Sequence, residues 1–540
     1  MRRLTAVLVV CALVAGCRPR VTILPPAVVD GAKRTIAAAV ASLERGAPVV
    51  IEGETILSTV VLPELYRRRD FRLAWTDREA RDELLRAVRT SYDDGLDPHD
   101  YHLLAIERLR AGGPSTPEAR AQLDLLLTDA AVVLAYHLRF GKLGPVVVDG
   151  EWTHESAPDG SDLAAVLQRG LDEQTVFDTF EDLKPRYLFY TRLKAALAEY
   201  RRIAETGNWV DLPAGGPLKP GVRDARVPLL RRRLAATGDL PASLSDDPSR
   251  DYDAAVEAGV RAFQERHGIK PDGAVGPATL RALDVPVGIR IDQIRATLER
   301  SRWVMHDQSD RFVLVDIAGY SLAVFDRGIP IWQTRVVVGE KINQTPSFRA
   351  DMRSIVLNPK WTVPPGIMKN EILPAMKRDA GYFQRKGYTW VNGQVVQPAG
   401  PRNPLGRIKL LLPNKHHVYL HDTPTKASFD RTHRMFSHGC VRVEHPFALA
   451  ALALDDPHWT ADALVAAAAS GKTRTIVLAK PLPVLILYAT ASADLEGRVH
   501  FVPDVYERDP EVVRRLAETS APRLRTASEH ASEEAATVGP

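Results

Sequence analysis

Cysteine is nearly missing from this chain: there are three in 540 residues, and two of them, Cys11 and Cys17, fall in the first seventeen positions. Cys440 therefore stands alone in the body of the sequence and has no internal partner for a structural disulfide. Long apolar runs are missing too. The stretch Leu4 to Gly16 is mostly apolar but too short to cross a bilayer as a permanent helix. Neither sign of charge dominates: 71 Lys and Arg against 67 Asp and Glu leave +4, and the basic residues are scattered, which gives no footprint for a nucleic-acid partner. No His-Glu-x-x-His zinc motif occurs. What remains, 45% apolar and 26% charged, is the composition of an ordinary soluble protein, long enough for several domains.

The lone thiol has distinctive neighbours. Tyr419-Leu420-His421-Asp422 precedes Phe436-Ser437-His438-Gly439-Cys440-Val441-Arg442-Val443. A thiol becomes a nucleophile at neutral pH when a base or positive charge favours the thiolate. Gly439 lets the backbone turn tightly just before the sulfur, and N–H groups near such a turn can receive an oxyanion. On residues alone this is a candidate Cys/His acyl-transfer centre. Two other readings stay open: Cys440 as a small buried apolar residue, and a zinc site drawn from His416, His417, His421, His433, His438 and His445, although these lack the paired spacing of a structural site.

The same stretch resembles the active-site signature of the L,D-transpeptidases, enzymes with the YkuD-like catalytic fold. Their pattern is a His, a spacer, then Ser/Thr-His-Gly-Cys, an aliphatic residue and Arg or Asn; His421 and Ser437 to Arg442 match it position by position. The resemblance implies that Cys440 attacks the carbonyl on the L-centre of the third stem residue of peptidoglycan, diaminopimelate, in a tetrapeptide donor and expels D-alanine. The side-chain amine of a second stem would then take the acyl group, giving a 3→3 cross-link. By the same resemblance His421 is the base, oriented by Asp422 or by a backbone carbonyl, and His438 shapes the acceptor side or the Cys turn. Arg442 holds a stem carboxylate or braces the loop, Tyr419 donates to the oxyanion or only packs, and Ser437 and Gly439 belong to the substrate-binding turn. No cofactor and no metal are implied, and carbapenem-type β-lactams are expected to acylate Cys440. An L,D-carboxypeptidase or a protein-to-peptidoglycan ligase would carry the same residues. A non-catalytic wall-binding lipoprotein is the rival outside enzymes, and an intact Cys440–His421 pair argues against it.

At the N-terminus, Leu13-Val14-Ala15-Gly16-Cys17 resembles a bacterial lipoprotein signal (residues 1–17) cut before a lipidated Cys17. Arg18 follows where resemblance associates Asp with inner-membrane retention. The expectation is a periplasmic protein held on the outer membrane only through its N-terminal lipid.

Residues 18–45, Pro25-Pro26 and then an alanine-rich helical stretch, read as a tether leading into the first helix, and 46–212 as a helical domain, with Leu123, Leu126, Leu127, Ala130, Val133, Leu134 and Leu138 marking one buried helix face. Its motifs resemble the scaffold domain of large Gram-negative L,D-transpeptidases. Asp93-Asp94 reads as a turn, without chemistry. Residues 217–285 resemble the three-helix peptidoglycan-binding module, with Gln264, Asp272-Gly273 and Gly276-Pro277-Ala278-Thr279-Leu280 as its motif; those residues could equally just build the bundle. A linker helix spans 286–310. The catalytic domain is predicted over 311–480, mainly β, as a sandwich or open barrel with late strands at 475–478 and 484–488. An insertion at about 367–402 reads as a lid, its Tyr382, Phe383, Tyr388 and Trp390 either covering the cleft or packing a small core of their own. Residues 481–517 are expected to pack on the core, and 518–540 to be disordered. The predicted class is a multidomain α+β chain.

Overall fold

The computed structural model of the chain describes residues 25–143, 161–305 and 309–518. Cys11, Cys17, the signal segment and the tail from 519 lie outside the described residues. Backbone contacts gather the chain into two units.

The first unit takes residues up to Ala87, Tyr101–Val132 and Ser161–Thr179 and is almost wholly helical, apart from a small hairpin of β1 (Val50–Ile51) and β2 (Glu54–Thr55). The alanine-rich helical stretch within residues 18–45 is the helix Pro26–Glu44, with Ala32, Ile36, Val40 and Leu43 buried. Apolar residues at three- and four-residue steps commit that segment to a core instead of to solvent. The helix Pro117–Phe140, whose part up to Val132 belongs to this unit, is largely buried, and its carboxylates Asp124 and Asp129 are satisfied. Asp129 accepts the backbone N–H groups of Leu57 and Ser58 at 2.8 and 2.7 Å, and Asp124 accepts those of Ala74 and Trp75. These carboxylates act as loop anchors.

The second unit holds everything from Phe180 onward, with Val88–Asp100 and the stretch from Val133. Ser91–Asp94 forms a turn closed by left-handed Gly95, and buried Asp94 pairs with Lys184 and Lys194 at 2.9 Å each. The helices Val227–Ala236, Ala254–Arg266 and Pro277–Leu283 form a small bundle around Val227, Leu230, Leu234, Val256, Val260 and Phe263. Its motif residues are wired to one another. The Gln264 amide donates to Asp272, to the Ala274 carbonyl and to Thr279, and accepts from the Gly273 N–H at 2.9 Å.

The helix predicted as a linker, Val287–Val304, is a core element. Glu299, Arg300, Ser301 and Arg302 are buried along with Ile294 and Leu298. Arg302 pairs with Glu299 at 2.6 Å and donates to the Tyr190 hydroxyl and the Asp94 carbonyl, while Arg300 pairs with Asp509 at 2.5 Å. Cutting one partner from such a buried pair costs about 3–5 kcal/mol, because the other charge is left uncompensated.

The β-rich domain is built from β3 (Arg311–Asp316), β4 (Ser321–Asp326), β5 (Ile329–Gly339), β6 (Phe348–Leu357), β10 (Ile408–Leu411), β11 (Leu420–His421), β12 (Met435–Ser437), β13 (Val441–Val443) and β14 (Arg474–Leu487). Their order is β12-β5-β13-β11-β10-β6-β14-β3-β4, and β4 also pairs with β5, so the run of pairings closes on itself where an open barrel or sandwich was expected. Long β5 makes this possible. Val336 N–H reaches the Tyr320 carbonyl on one edge, whereas the Arg335 carbonyl receives Glu444 on the other. The two late strands predicted at 475–478 and 484–488 are one strand, β14, whose pairing with β6 is interrupted between Val477 and Leu482, around Pro481 and Pro483. The insertion begins at β7 (Trp361–Thr362), runs through short helical turns including a wide turn at Met368–Ile372, and ends with β8 (Thr389–Val391) and β9 (Gln394–Gln397). Val363, Ile372 and Val395 form its own core with Tyr382, Phe383 and Tyr388 packed on it; Trp390 is exposed.

Candidate active site

Strand period and register assemble the site. In β10, β11 and β13, Leu410, Leu420 and Val441 point into the barrel core. Side chains alternate along a strand, so Lys409, His421 and Arg442 fall on the opposite face. They lie in one cross-strand row, because Lys409 pairs with His421 and His421 with Arg442. Two positions earlier along the same strands, Tyr419 and Cys440 share that face, and the Val441 N–H donates to the Tyr419 carbonyl. His421 is thus the diagonal neighbour of Cys440, and Tyr419 stands across from Cys440; the Tyr419 and His421 ring centroids are 5.6 Å apart.

Cys440 ends a tight turn between β12 and β13. Gly439 has φ +102°, a left-handed conformation that only glycine adopts readily. The Ser437 hydroxyl donates to the Cys440 carbonyl at 2.5 Å and accepts from the Gly439 N–H at 3.2 Å. Ser437, expected to contact substrate, is buried and spends its hydroxyl inside the turn, so it shapes the turn instead. From below, the Thr345 hydroxyl donates to the Gly439 carbonyl at 2.9 Å and accepts from the Gly339 N–H at 2.9 Å. Gly339 permits this approach, since a Cβ there would lie 2.1 Å from the Asn343 carbonyl oxygen.

His421 is buried, and its Nδ1 is 2.5 Å from the carbonyl oxygen of Asp422. A ring nitrogen against a carbonyl carries the proton, so the tautomer is Nδ1–H and Nε2 keeps its lone pair. The Asp422 carboxylate does not orient the ring; it accepts the Arg407 N–H at 2.8 Å and the Lys426 ammonium at 2.7 Å. Burial, then the positive charge of Arg442, pushes the His421 pKa down to about 3. Burial also raises the Cys440 thiol, against the opposing pull of hydrogen bonds from Tyr419 and of the Lys409 and Arg442 charges. The resting pair is therefore a neutral thiol and a neutral imidazole. The Tyr419 hydroxyl, hydrogen-bonded to Cys440 and raised by burial, stays protonated and can donate.

His438 points the other way. Its Nε2 meets Glu371, on the wide helical turn of the insertion, at 2.5 Å. His433 and His445 are exposed, and no group of three or more potential metal ligands gathers among the described residues. Lys409 is the site residue that sequence reasoning missed. Nothing near it marks chemistry, and only the pairing of β10 with β11 places it beside His421.

Comparison with known proteins gives three family matches. Residues 310–477 match the L,D-transpeptidase catalytic domain (YkuD), residues 61–197 the scaffold domain, and residues 223–283 a putative peptidoglycan-binding domain. A putative L,D-transpeptidase of Haemophilus influenzae is 31% identical over 220 residues, covering 37% of this chain and 45% of its own, so the chain spans less than half the length of that relative. Among solved structures, an L,D-transpeptidase from Stackebrandtia nassauensis aligns at 16% identity over 50% of this chain and 97% of its own, with a TM-score of 0.21. One from Mycobacterium smegmatis aligns at 11% identity over 33% and 58%, with a TM-score of 0.19.

Proposed function

Because this chain carries a YkuD-type L,D-transpeptidase catalytic domain together with a scaffold domain and a putative peptidoglycan-binding domain, we propose that it cross-links peptidoglycan stem peptides 3→3 through a thioester on Cys440. In the first half-reaction the Cys440 sulfur bonds to the carbonyl carbon on the L-centre of the third stem residue. The C–N bond to D-alanine breaks, and the thiol proton passes through His421 Nε2 to the departing amine. In the second, the side-chain amine of an acceptor stem attacks the thioester. The new C–N bond forms, the C–S bond breaks, and the amine's proton returns to sulfur. Tyr419 donates to the oxyanion in both halves.

The observation that carries this reading is the shared face of Cys440, Tyr419 and His421, with the imidazole fixed as the Nδ1–H tautomer by the Asp422 carbonyl. The bundle over 223–283 would hold the chain on the sacculus; its Gln264 motif residues are spent on internal bonds, which leaves binding to other groups of its surface. Lipidation of Cys17 and an outer-membrane location in the periplasm belong to the same proposal. The test is to mix purified full-length protein with tetrapeptide-bearing muropeptides and analyse the products by mass spectrometry. A dimer joined between two third residues is expected, and none with Cys440→Ala. Release of tripeptide without dimer would reassign the acceptor to water.

A further inference from the structure

Two cations flank His421 with no anion between them. Lys409 and Arg442 are its register partners on either side, in β10 and β13, and both are partly buried. Among the described residues neither makes a hydrogen bond or ion pair with a carboxylate. The acids nearest in sequence are engaged elsewhere: Asp422 with Arg407 and Lys426, and Glu444 with Arg335 at 2.8 Å. The Lys409 ammonium lies 3.6 Å from the centroid of the Tyr419 ring, which fixes it over the face that carries Cys440. Two half-desolvated positive charges on the strands either side of β11 lack a carboxylate partner, an arrangement whose natural complement is an anionic ligand.

Resting on the transpeptidase reading above, we infer that Lys409 and Arg442 form a carboxylate-binding pair for the C-terminal carboxylate of the D-amino acid that leaves the donor stem. Reach selects this carboxylate. Only the amide nitrogen and one α-carbon separate it from the carbonyl that Cys440 attacks, whereas the other carboxylates of a stem sit at the ends of longer arms. Arg442 stands two positions beyond Cys440 on one face, a spacing of roughly 6–7 Å, which suits a group one residue past the scissile bond. Arg442 can form a fork to the carboxylate and Lys409 a point contact.

The pair has a second consequence. The same two charges help to hold His421 unprotonated. A carboxylate bound between them weakens that field, so His421 gains basicity when a donor arrives, while the pull of the same charges on the Cys440 thiol weakens too.

The experiment uses full-length protein and two donor tetrapeptides, one ending in D-alanine and one in D-alaninamide. Wild type should favour the acid by roughly 10- to 100-fold in kcat/KM, the range of charge-assisted bonds. Lys409→Met and Arg442→Gln should each cut that preference to a few-fold by losing rate on the acid donor, and Lys409→Arg should restore part of it. Equal loss on both donors would place Lys409 in service of the thiol or the fold, and an unchanged preference would remove it from the site; either overturns the inference. A second arm needs no turnover: Cys440→Ala is titrated with both peptides by calorimetry. Tighter binding of the acid by tenfold or more, lost on adding Lys409→Met, is expected, and equal affinity overturns the inference. If wild type turns over neither donor yet the acid binds preferentially, the reaction assigned above fails while the carboxylate site stands.

Discussion

The hydroxyl of Thr345 donates to the carbonyl oxygen of Gly439 at 2.9 Å, tying the turn in front of Cys440 to a residue ninety-four positions earlier. The tie continues inward: the Thr345 N–H donates to the Tyr506 hydroxyl at 3.3 Å, and that hydroxyl donates to the Gly339 carbonyl at 2.6 Å. A segment near the C-terminus thus helps to set the height of the nucleophile. Thr345→Val keeps the shape but leaves the Gly439 carbonyl and the Gly339 N–H without this partner, a cost of about 1–3 kcal/mol for each buried group. Acylation of Cys440 should slow by at least tenfold and the urea midpoint should drop. Tyr506→Phe should do the same to a smaller extent. Wild-type acylation in Thr345→Val would show that the turn holds itself.

Glu371 couples the insertion to the nucleophile's turn through His438. The pair is exposed on both sides, so it stabilises by about 0–1 kcal/mol at most. Glu371→Gln should therefore raise the labelling rate of Cys440 by a small thiol reagent up to about fivefold and speed hydrogen exchange over residues 365–378. Unchanged labelling and exchange would mean that the ion pair does not hold the insertion down.

The buried imidazole makes a pH prediction with a definite sign. The His421 pKa is about 3 folded, against roughly 6.5 unfolded, so between these values the unfolded chain binds the extra proton. Stability from this group is full above pH 6.5 and is lost as pH falls toward 3, with a slope of about 1.4 kcal/mol per pH unit. Subtracting urea curves of His421→Asn from those of wild type at pH 7, 6, 5 and 4 isolates it. On activity, kcat/KM for acylation should carry no inflection from His421 between pH 5 and 7 and should climb with pH toward ionisation of the Cys440 thiol, which burial raises. An inflection near pH 6.5 that vanishes in His421→Asn would contradict the neutral resting pair.

The anchor is tested separately. Cys17→Ala should release the protein from the membrane fraction while leaving Cys440 acylable; unchanged fractionation would count against lipidation.

The placement of Cys440 and His421 on one face was legible because it is written locally. A glycine forces the turn, and the two motif stretches fall on strands that pair. Lys409 was not legible: strand alternation says that it faces away from the core, but a pairing made across the β10–β11 loop decides what it faces. The helix Val287–Val304 misled for another reason. It was expected only as a linker, yet the charges of Glu299, Arg300 and Arg302 are paired in the interior, and the partners Tyr190 and Asp509 stand far away in sequence. The runs 475–478 and 484–488 read as two strands where one strand continues through an interruption at Pro481 and Pro483. The aromatics of the insertion could be recognised as buried or functional only once Ile372 and Val395 supplied a core for them.

The central claim, acyl transfer through a thioester on Cys440, is tested most directly by intact-protein mass spectrometry of full-length protein mixed with a tetrapeptide donor and no acceptor. The account predicts one adduct of the donor's tripeptide mass, mapped to the peptide holding Ser437 to Arg442, together with an equivalent of free D-alanine. It also predicts that both disappear in Cys440→Ala and that adduct formation slows by about two to four orders of magnitude in His421→Ala. Donor turnover that persists in Cys440→Ala, or D-alanine release with the adduct on another residue, would contradict it.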